Sequence, residues 1–231
     1  MMAVDRKIYW GKHVAAFVIT CLLFVVGLLI GLNISDSRLG LLQDFSEQQK
    51  ADFESLQLQY AYLGASNGSC SAFNNALEQS VGNLENARIK LENYLQTSSN
   101  AESFLVQKRT YMLAEIRYWL LAREAEKACG KDSVNVLFFY EEDASCDWCS
   151  TQGYVLTSLK ETFQNNLLVF SLDATSDEPM VRIITNVYNI TSTPSVVVDD
   201  ESLHGFVGED QLFAKICSHF IQGHPMCEQA A

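Results

Sequence analysis

The stretch that decides the fold of this chain is VNVLFFYEEDASCDWCS, residues 134–150. Its first half is a nearly continuous β-branched and aromatic run, which is typical of a strand buried on both faces of an α/β sheet. Its second half places Cys146 and Cys149 three residues apart, where a helix is expected to begin. At a helix N-terminus the unpaired N–H groups and the helix dipole favour a thiolate, and residues i and i+3 share one face. The stretch therefore predicts a disulfide that forms and breaks reversibly.

Acidic residues are concentrated in the last third of the chain. Residues 133–231 contain three basic and fourteen acidic residues, a net charge of −11 out of −12 for all 231 residues. Residues 35–132 contain ten basic and thirteen acidic residues, whereas residues 1–34 contain three basic residues and one acid. A domain this acidic repels a phosphate backbone, so we exclude nucleic acid as a partner.

An apolar segment without charges lies near the N-terminus, at residues 14–32. As a helix it would be about 28 Å long, close to the hydrocarbon thickness of a bilayer. Basic residues precede it and acids dominate just after it, so the positive-inside rule places residues 1–13 in the cytoplasm and the rest of the chain outside. The alternative is a cleaved signal peptide, but the apolar region is long for one and no small-x-small cleavage site follows. We predict a single-pass signal-anchor.

Residues 35–130 predict a stalk of three long helices. Leucine and aromatic residues recur at helical spacing in residues 35–63, 71–96 and 101–129, and runs of turn-forming residues separate these stretches. Short connections make consecutive helices antiparallel, which predicts a three-helix bundle or a hairpin coiled coil. Such a stalk also offers a surface for self-association.

This stalk topology predicts a structural disulfide between Cys70 and Cys129. The second and third helices have similar lengths, so the start of one and the end of the other should meet at the membrane-distal end. The bond would close a loop of about 60 residues and contribute about 3–4 kcal/mol. The alternatives are two free thiols, or a pair that exchanges with Cys146 and Cys149. Six of the seven cysteines lie outside the apolar segment, an even number that suits an oxidising compartment.

Residues 133–222 predict an α/β domain in the order β-α-β-α-β-β-α. Alternating strands and helices predict parallel pairing through right-handed crossovers, and the last two strands predict a hairpin. The expected strands are 134–140, 167–172, 193–198 and 203–207, and the expected helices are 146–163, 178–188 and 209–221.

Three features of this domain resemble the thioredoxin superfamily. They are Cys146-Asp-Trp-Cys149 after the first strand, Thr193-Pro194 before the third, and the short final hairpin followed by a helix. The resemblance implies a thioredoxin-like fold and an oxidoreductase for protein disulfides, for which we expect no cofactor and no metal. It implies that Cys146 is the nucleophile, that Cys149 resolves the mixed disulfide, and that the Thr193–Pro194 bond is cis.

The chain also departs from thioredoxin. Phe138 and Phe139 occupy the region where thioredoxin has a buried aspartate as proton acceptor, and the first β-α unit is absent. The domain therefore has the minimal, glutaredoxin-like size, and the third stalk helix could buttress it.

The acids around the cysteines bear on the direction of electron flow. Asp147 and three acids before Cys146 disfavour the thiolate, whereas the helix N-terminus favours it. A less stabilised reduced form is a weaker oxidant, so we expect a reductase or isomerase and not a strong oxidase. Trp148 and Asp147 are the candidate contacts to a client; the alternative for Trp148 is packing on its own domain.

The last helix and the tail at residues 223–231 together add a last group of candidates: Cys217, His219, His224 and Cys227. A Cys217–Cys227 disulfide would pin the tail to the last helix, although Cys217 could equally be a buried free thiol. Zinc binding by all four is the third alternative, which their irregular spacing disfavours.

Three functional hypotheses follow from the sequence. The first is a membrane-anchored, extracytoplasmic thiol–disulfide oxidoreductase that works with a separate redox partner. The second is a structural or interaction protein in which Cys146–Cys149 is a static bridge. The third is a metal-handling module.

Overall fold

The chain divides into two units, Met1–Ala61 and Tyr62–Ala231. A computed structural model describes residues 14, 17–28, 50–51, 54–64, 69–97, 101–141 and 146–228. Residues 14, 17–28, 50–51 and 54–64 are helical. The predicted cytoplasmic segment 1–13 and most of the predicted first stalk helix lie outside the described residues.

The predicted membrane span, residues 14–32, is described only in part. Residues 17–28 are helical and their large apolar side chains are exposed; this described stretch spans about 18 Å at 1.5 Å per residue. No helix among the described residues combines the length and the apolar character needed to cross a membrane. Residues 15–16 and 29–32 of the predicted span lie outside the described part.

Two long helices form an antiparallel hairpin, α1 (Cys70–Thr97) and α2 (Ala101–Cys129). A disulfide joins Cys70 to Cys129 at the open end of the hairpin, with their Cα atoms 5.5 Å apart. An apolar cluster stabilises the same end and consists of Leu63, Phe73, Leu121 and Ala125. The packing of the predicted first stalk helix, residues 35–63, stays a prediction.

The helix α2 is part of the terminal domain as well as of the hairpin. Its buried residues Met112, Ile116 and Trp119, spaced by four and three, pack against the sheet that follows. The predicted division between a stalk ending at residue 130 and a domain starting at residue 133 therefore does not separate two cores. An apolar sheet face needs a cover, and α2 supplies most of it.

The sheet has four strands: β1 (Val134–Tyr140), β2 (Leu167–Asp173), β3 (Ser195–Val198) and β4 (Glu201–His204), in the order β2-β1-β3-β4. The strand β1 pairs in parallel with β2 over its whole length. It pairs antiparallel with β3, and β3 pairs antiparallel with β4. The prediction of parallel pairing is correct for β1 and β2 but wrong for β3.

Helix length explains this difference. The helix α3 (Cys149–Phe163) has 15 residues and is about 22 Å long, which matches a seven-residue strand of about 23 Å. It therefore returns the chain to the start of the sheet. The helix α4 (Pro179–Val187) has nine residues and is about 13 Å long, so β3 begins at the end where β2 finishes.

Alternate residues of β1 face two different layers of helix. Val134, Val136 and Phe138 pack against α3 and α5 (Glu209–His219), whereas Leu137 and Phe139 pack against α2 and α4. All but the last residue of β1 are buried. This double burial is what the apolar run of the sequence predicts.

A 3₁₀ turn (Gln164–Asn166) and a last helical turn, α6 (Pro225–Glu228), complete the described chain.

Several predicted boundaries shift by one or two residues in the structure, and two shift by three. The last strand is Glu201–His204 and not 203–207, because a two-residue loop, Asp199-Asp200, joins it directly to β3. Asp199 takes a φ of 51°, a left-handed conformation that aspartate tolerates better than most residues. The helix α3 starts at Cys149 and not at Cys146, since residues 147 and 148 form a turn.

A buried carboxyl group links α2 to the edge of the sheet. Glu115 accepts hydrogen bonds from the Tyr111 hydroxyl (3.2 Å) and from the backbone N–H of Ser171 on the edge strand β2 (3.1 Å). Its Oε2 atom is buried without a hydrogen-bond partner among the described residues. Burial raises the pKa of Glu115 to about 8, although both hydrogen bonds act in the opposite direction. The group is therefore mostly neutral at pH 7.

This raised pKa predicts a pH-dependent stability. In the unfolded chain a glutamate titrates at about pH 4.3. Above this pH, Glu115 retains its proton in the folded state but has lost it in the unfolded state. The free energy of unfolding should fall as the pH rises towards the folded pKa, by up to about 1.4 kcal/mol per pH unit from this group. Glu115→Gln should remove this slope. Urea unfolding of both proteins across this pH range measures it, and parallel pH profiles would contradict the assignment.

Candidate active site

The two cysteines of the opening stretch form a disulfide at the start of α3. Cys146 and Cys149 have Cα atoms 5.5 Å apart, and the Cys149 N–H donates to the Cys146 carbonyl at 3.4 Å. Trp148 occupies the N-cap position without a side-chain hydrogen bond to the helix. The bond therefore lies where the positive end of the α3 dipole favours a thiolate once it is reduced.

The two sulfur-bearing residues differ in their exposure to solvent. Cys146 is half-buried at the edge of the core, whereas Cys149 is 8% exposed and belongs to the core cluster between α3 and the sheet. An external disulfide can therefore reach Cys146 more easily than Cys149. This asymmetry matches the predicted roles of nucleophile and resolving thiol, which stay predictions.

A cis proline lies at the same end of the sheet. The Thr193–Pro194 peptide bond is cis, and Pro194 is buried. The next residue, Ser195, pairs with Phe139 near the end of β1, so Pro194 lies beside the end of β1 from which the chain leads to Cys146. The terminal domain has a thioredoxin-like fold. This assignment rests on the strand order, the position of the cysteine pair and the cis proline.

Comparison with solved structures lists thioredoxins. Chloroplastic thioredoxin z is 14% identical, with a TM-score of 0.33, and the alignment covers 42% of this chain and 88% of that one. Thioredoxin-2 of the malaria parasite is 22% identical, with a TM-score of 0.31 and coverages of 38% and 85%. Thioredoxin O2 of Arabidopsis thaliana is 20% identical, with a TM-score of 0.30 and coverages of 44% and 82%. At these scores the matches add nothing to the assignment.

Comparison by sequence finds no relative. No protein-family model matches the chain. No curated protein matches it either.

An exposed aromatic pair flanks the Cys146–Cys149 disulfide of the thioredoxin-like domain. Trp148, between the two cysteines, is 55% exposed and packs on Phe206, which is 40% exposed, with ring centroids 5.2 Å apart. Trp148 thus packs on its own domain, as one predicted alternative has it, while much of the residue is exposed to solvent; its contact with a client stays a prediction. Asp147 is also exposed, next to the half-buried Cys146.

Two residues near the cysteine pair, Phe206 and Gln152, were not among the predicted site residues. Gln152 is fully buried. Its side-chain amide forms hydrogen bonds with both the N–H and the C=O of Val207, the residue after Phe206. One signal was present in the sequence. Gln152 is the single polar member of the buried stripe of α3, whose other members are Cys149, Leu156, Leu159 and Phe163. A polar residue in an apolar stripe indicates a specific hydrogen-bond partner.

The core beneath Cys149 is apolar on the sheet side. Phe138, which the resemblance to thioredoxin places in the region of the buried aspartate, is 6% exposed and packs in the same cluster as Cys149. Two buried acids lie instead on the other face of the sheet, between α2 and β2. Glu115 of α2 accepts from the Ser171 N–H, and Asp173 of β2 forms a buried ion pair with Lys108 of α2. No acidic side chain therefore joins Cys149 in its core cluster among the described residues.

The other two disulfides lie at the opposite end of the sheet. Cys129 ends α2 just before β1 begins. The Asp132 carboxylate, between these two elements, accepts hydrogen bonds from the backbone N–H groups of Ile221 and Gln222, which directly precede the tail. The seven residues of β1 separate this end from Cys146 by about 20 Å. Exchange between Cys70–Cys129 and Cys146–Cys149 within one molecule is therefore excluded.

The tail cysteines form a disulfide, Cys217–Cys227, with Cα atoms 5.6 Å apart. The two histidines of the predicted zinc alternative face elsewhere: His219 contacts Asp199 at 3.1 Å, and His224 stacks on Phe220. Within the described part of the chain, no three His, Cys, Asp or Glu side chains are grouped to hold a metal ion. The four candidate zinc ligands thus do not converge.

The difference in exposure predicts the order of alkylation. After reduction of the Cys146–Cys149 bond, iodoacetamide should modify Cys146 at least about tenfold faster than Cys149. Burial of Cys149 restricts the access of the reagent and disfavours the thiolate, which is the form that reacts. Mass spectrometry of a quenched time course measures both rates. Equal rates, or faster modification of Cys149, would contradict the assigned geometry.

Proposed function

We propose that the protein is a membrane-anchored, extracytoplasmic thiol–disulfide oxidoreductase that reduces or isomerises disulfides in protein clients. One observation supports this most strongly. A disulfide between a half-exposed Cys146 and a buried Cys149 starts a helix at the end of the sheet where the cis Pro194 lies. This arrangement gives one thiol access to a client and places the second within reach of the first.

The proposed reduction takes place in two exchange steps. The Cys146 thiolate attacks a client disulfide, forms a mixed disulfide and releases one client thiolate. The Cys149 thiolate then attacks Cys146, forms the intramolecular disulfide and releases the second client thiolate. Two protons from water complete the client dithiol. The client gains two electrons and the Cys146–Cys149 pair loses two, so a separate dithiol donor must reduce the pair again. In isomerisation, the released client thiolate instead attacks another client disulfide. The client thiolate freed there attacks the client sulfur of the mixed disulfide and releases the Cys146 thiolate, so the client gains no electrons.

The acidic surroundings support reduction or isomerisation over strong oxidation. Asp147 is exposed between the two cysteines, and Phe138 provides no charge beneath them. A negative charge beside a developing thiolate destabilises the reduced form. A pair with a less stabilised reduced form gives up electrons more readily.

Reduction of insulin disulfides by the full chain tests the proposed reaction. In the presence of a dithiol donor, the wild type should accelerate insulin reduction at least about tenfold. The reason is that the Cys146 thiolate attacks insulin disulfides faster than the free thiols of the donor do. Cys146→Ser should abolish the acceleration, and Cys149→Ser should accumulate a mixed disulfide with insulin. Cys21→Ser removes an unbonded cysteine far from the pair in sequence and should change nothing. An inactive wild type, or an active Cys146→Ser variant, would contradict the proposal.

The exposed apolar helix at residues 17–28 supports the proposed membrane anchor. Its apolar side chains have no protein cover among the described residues, and three basic residues precede it. The full chain should therefore stay with the membrane during alkaline carbonate extraction. A membrane-impermeant thiol reagent should label reduced Cys146 from the outer side. Release into the soluble fraction, or labelling only after lysis, would overturn the anchor or its orientation.

A further inference from the structure

The side chain of Gln152 connects two segments that flank the redox centre. Its Nε2 donates to the Val207 carbonyl at 3.2 Å, and its Oε1 accepts from the Val207 N–H at 2.8 Å. Its own backbone N–H donates to the Trp148 carbonyl at 2.9 Å. One residue therefore holds the backbone of Trp148 through its main chain and the backbone next to Phe206 through its side chain.

The segment that Gln152 holds has few other constraints. It connects β4 to α5 and starts at Gly205, whose φ of 76° is in the left-handed region that glycine adopts readily. Only Val207 of this segment enters the core, with 4% exposure, while Phe206 remains partly exposed above Trp148. The two bonds hold the two peptide units that flank the Cα atom of Val207. They thereby fix the side from which Phe206 meets Trp148.

We propose that Gln152 is a positioning residue for client binding, a conclusion that rests on the proposed oxidoreductase function. It touches neither sulfur atom by hydrogen bond and takes no part in thiol exchange. It holds Trp148 and Phe206 together as a preformed aromatic surface beside Cys146. Aromatic pairs exposed at a site bind apolar and aromatic side chains of an extended segment. A rigid surface binds more tightly than a mobile one, because less freedom is lost on binding.

This role predicts an effect on binding that is separate from the effect on chemistry. Gln152→Met preserves the length and the approximate volume of the side chain but removes both bonds to Val207. The KM for insulin should rise about tenfold, which corresponds to about 1.4 kcal/mol. The kcat should be unchanged, and so should the rate with a small disulfide such as oxidised glutathione, which does not need the aromatic surface.

Two further variants make the test specific. Phe206→Ala removes the exposed ring without changing Gln152, and it should raise the KM for insulin by a similar factor. In the double variant the two effects should not add, because both remove the same surface. Ser158→Ala is the matched control. Its hydroxyl donates to Glu209 at 2.8 Å and also links α3 to α5, but it does not contact the segment that contains Phe206. It should leave KM unchanged.

Each outcome of these assays supports or overturns the role. A rise in KM for insulin with unchanged small-disulfide activity, absent in Ser158→Ala, supports it. An unchanged KM in folded Gln152→Met, equal losses toward insulin and small disulfides, or additive effects with Phe206→Ala would overturn it. If Gln152→Met does not fold, an unchanged KM in Phe206→Ala overturns it. A wild type without activity toward either disulfide contradicts the proposed function, and the role of Gln152 with it.

Discussion

The burial of β1 between two helical layers is the constraint on which the rest of the domain depends. Phe138 faces α3 and Phe139 faces α2, so the strand cannot shift by one residue without exchanging its two cores. The full-length pairing with β2 fixes one side and the antiparallel β3 fixes the other. The single register of β1 fixes where this strand ends, and the chain continues from that end to Cys146. Pro194 lies at the same end because the next residue, Ser195, pairs with Phe139.

Residues before the domain complete this core. The helix α2, which precedes β1 in the sequence, covers a face of the four-stranded sheet together with α4. Met112 and Ile116 supply apolar contacts, while Glu115 satisfies a backbone N–H of the edge strand β2. An edge strand with free N–H groups invites pairing with other chains, so this carboxyl group both stabilises and protects the sheet. The hairpin of α1 and α2 is thus a structural part of the thioredoxin-like domain.

Local patterns in the sequence predicted much of this arrangement. The apolar run of β1, the two long helices and the Cys70–Cys129 pairing depend on spacing and length, which a sequence shows directly. The antiparallel β3 depends on how far the short helix α4 carries the chain, and the alternation of strands and helices does not show that. The contact of Gln152 with Val207 joins residues 55 apart, so only its place in an apolar stripe indicated that a partner exists.

The central claim is that Cys146–Cys149 is an exchanging disulfide and not a static bridge, and its reduction potential tests this most directly. The acidic, partly exposed setting predicts a reducing or isomerising pair, between about −270 mV, as in thioredoxin, and about −180 mV, as in protein disulfide isomerase. Equilibration of the pair with glutathione buffers of known ratio, followed by alkylation and mass spectrometry, measures the value. A potential below about −300 mV would identify a structural bond, and one near about −120 mV would identify a strong oxidant. Either result would contradict the account.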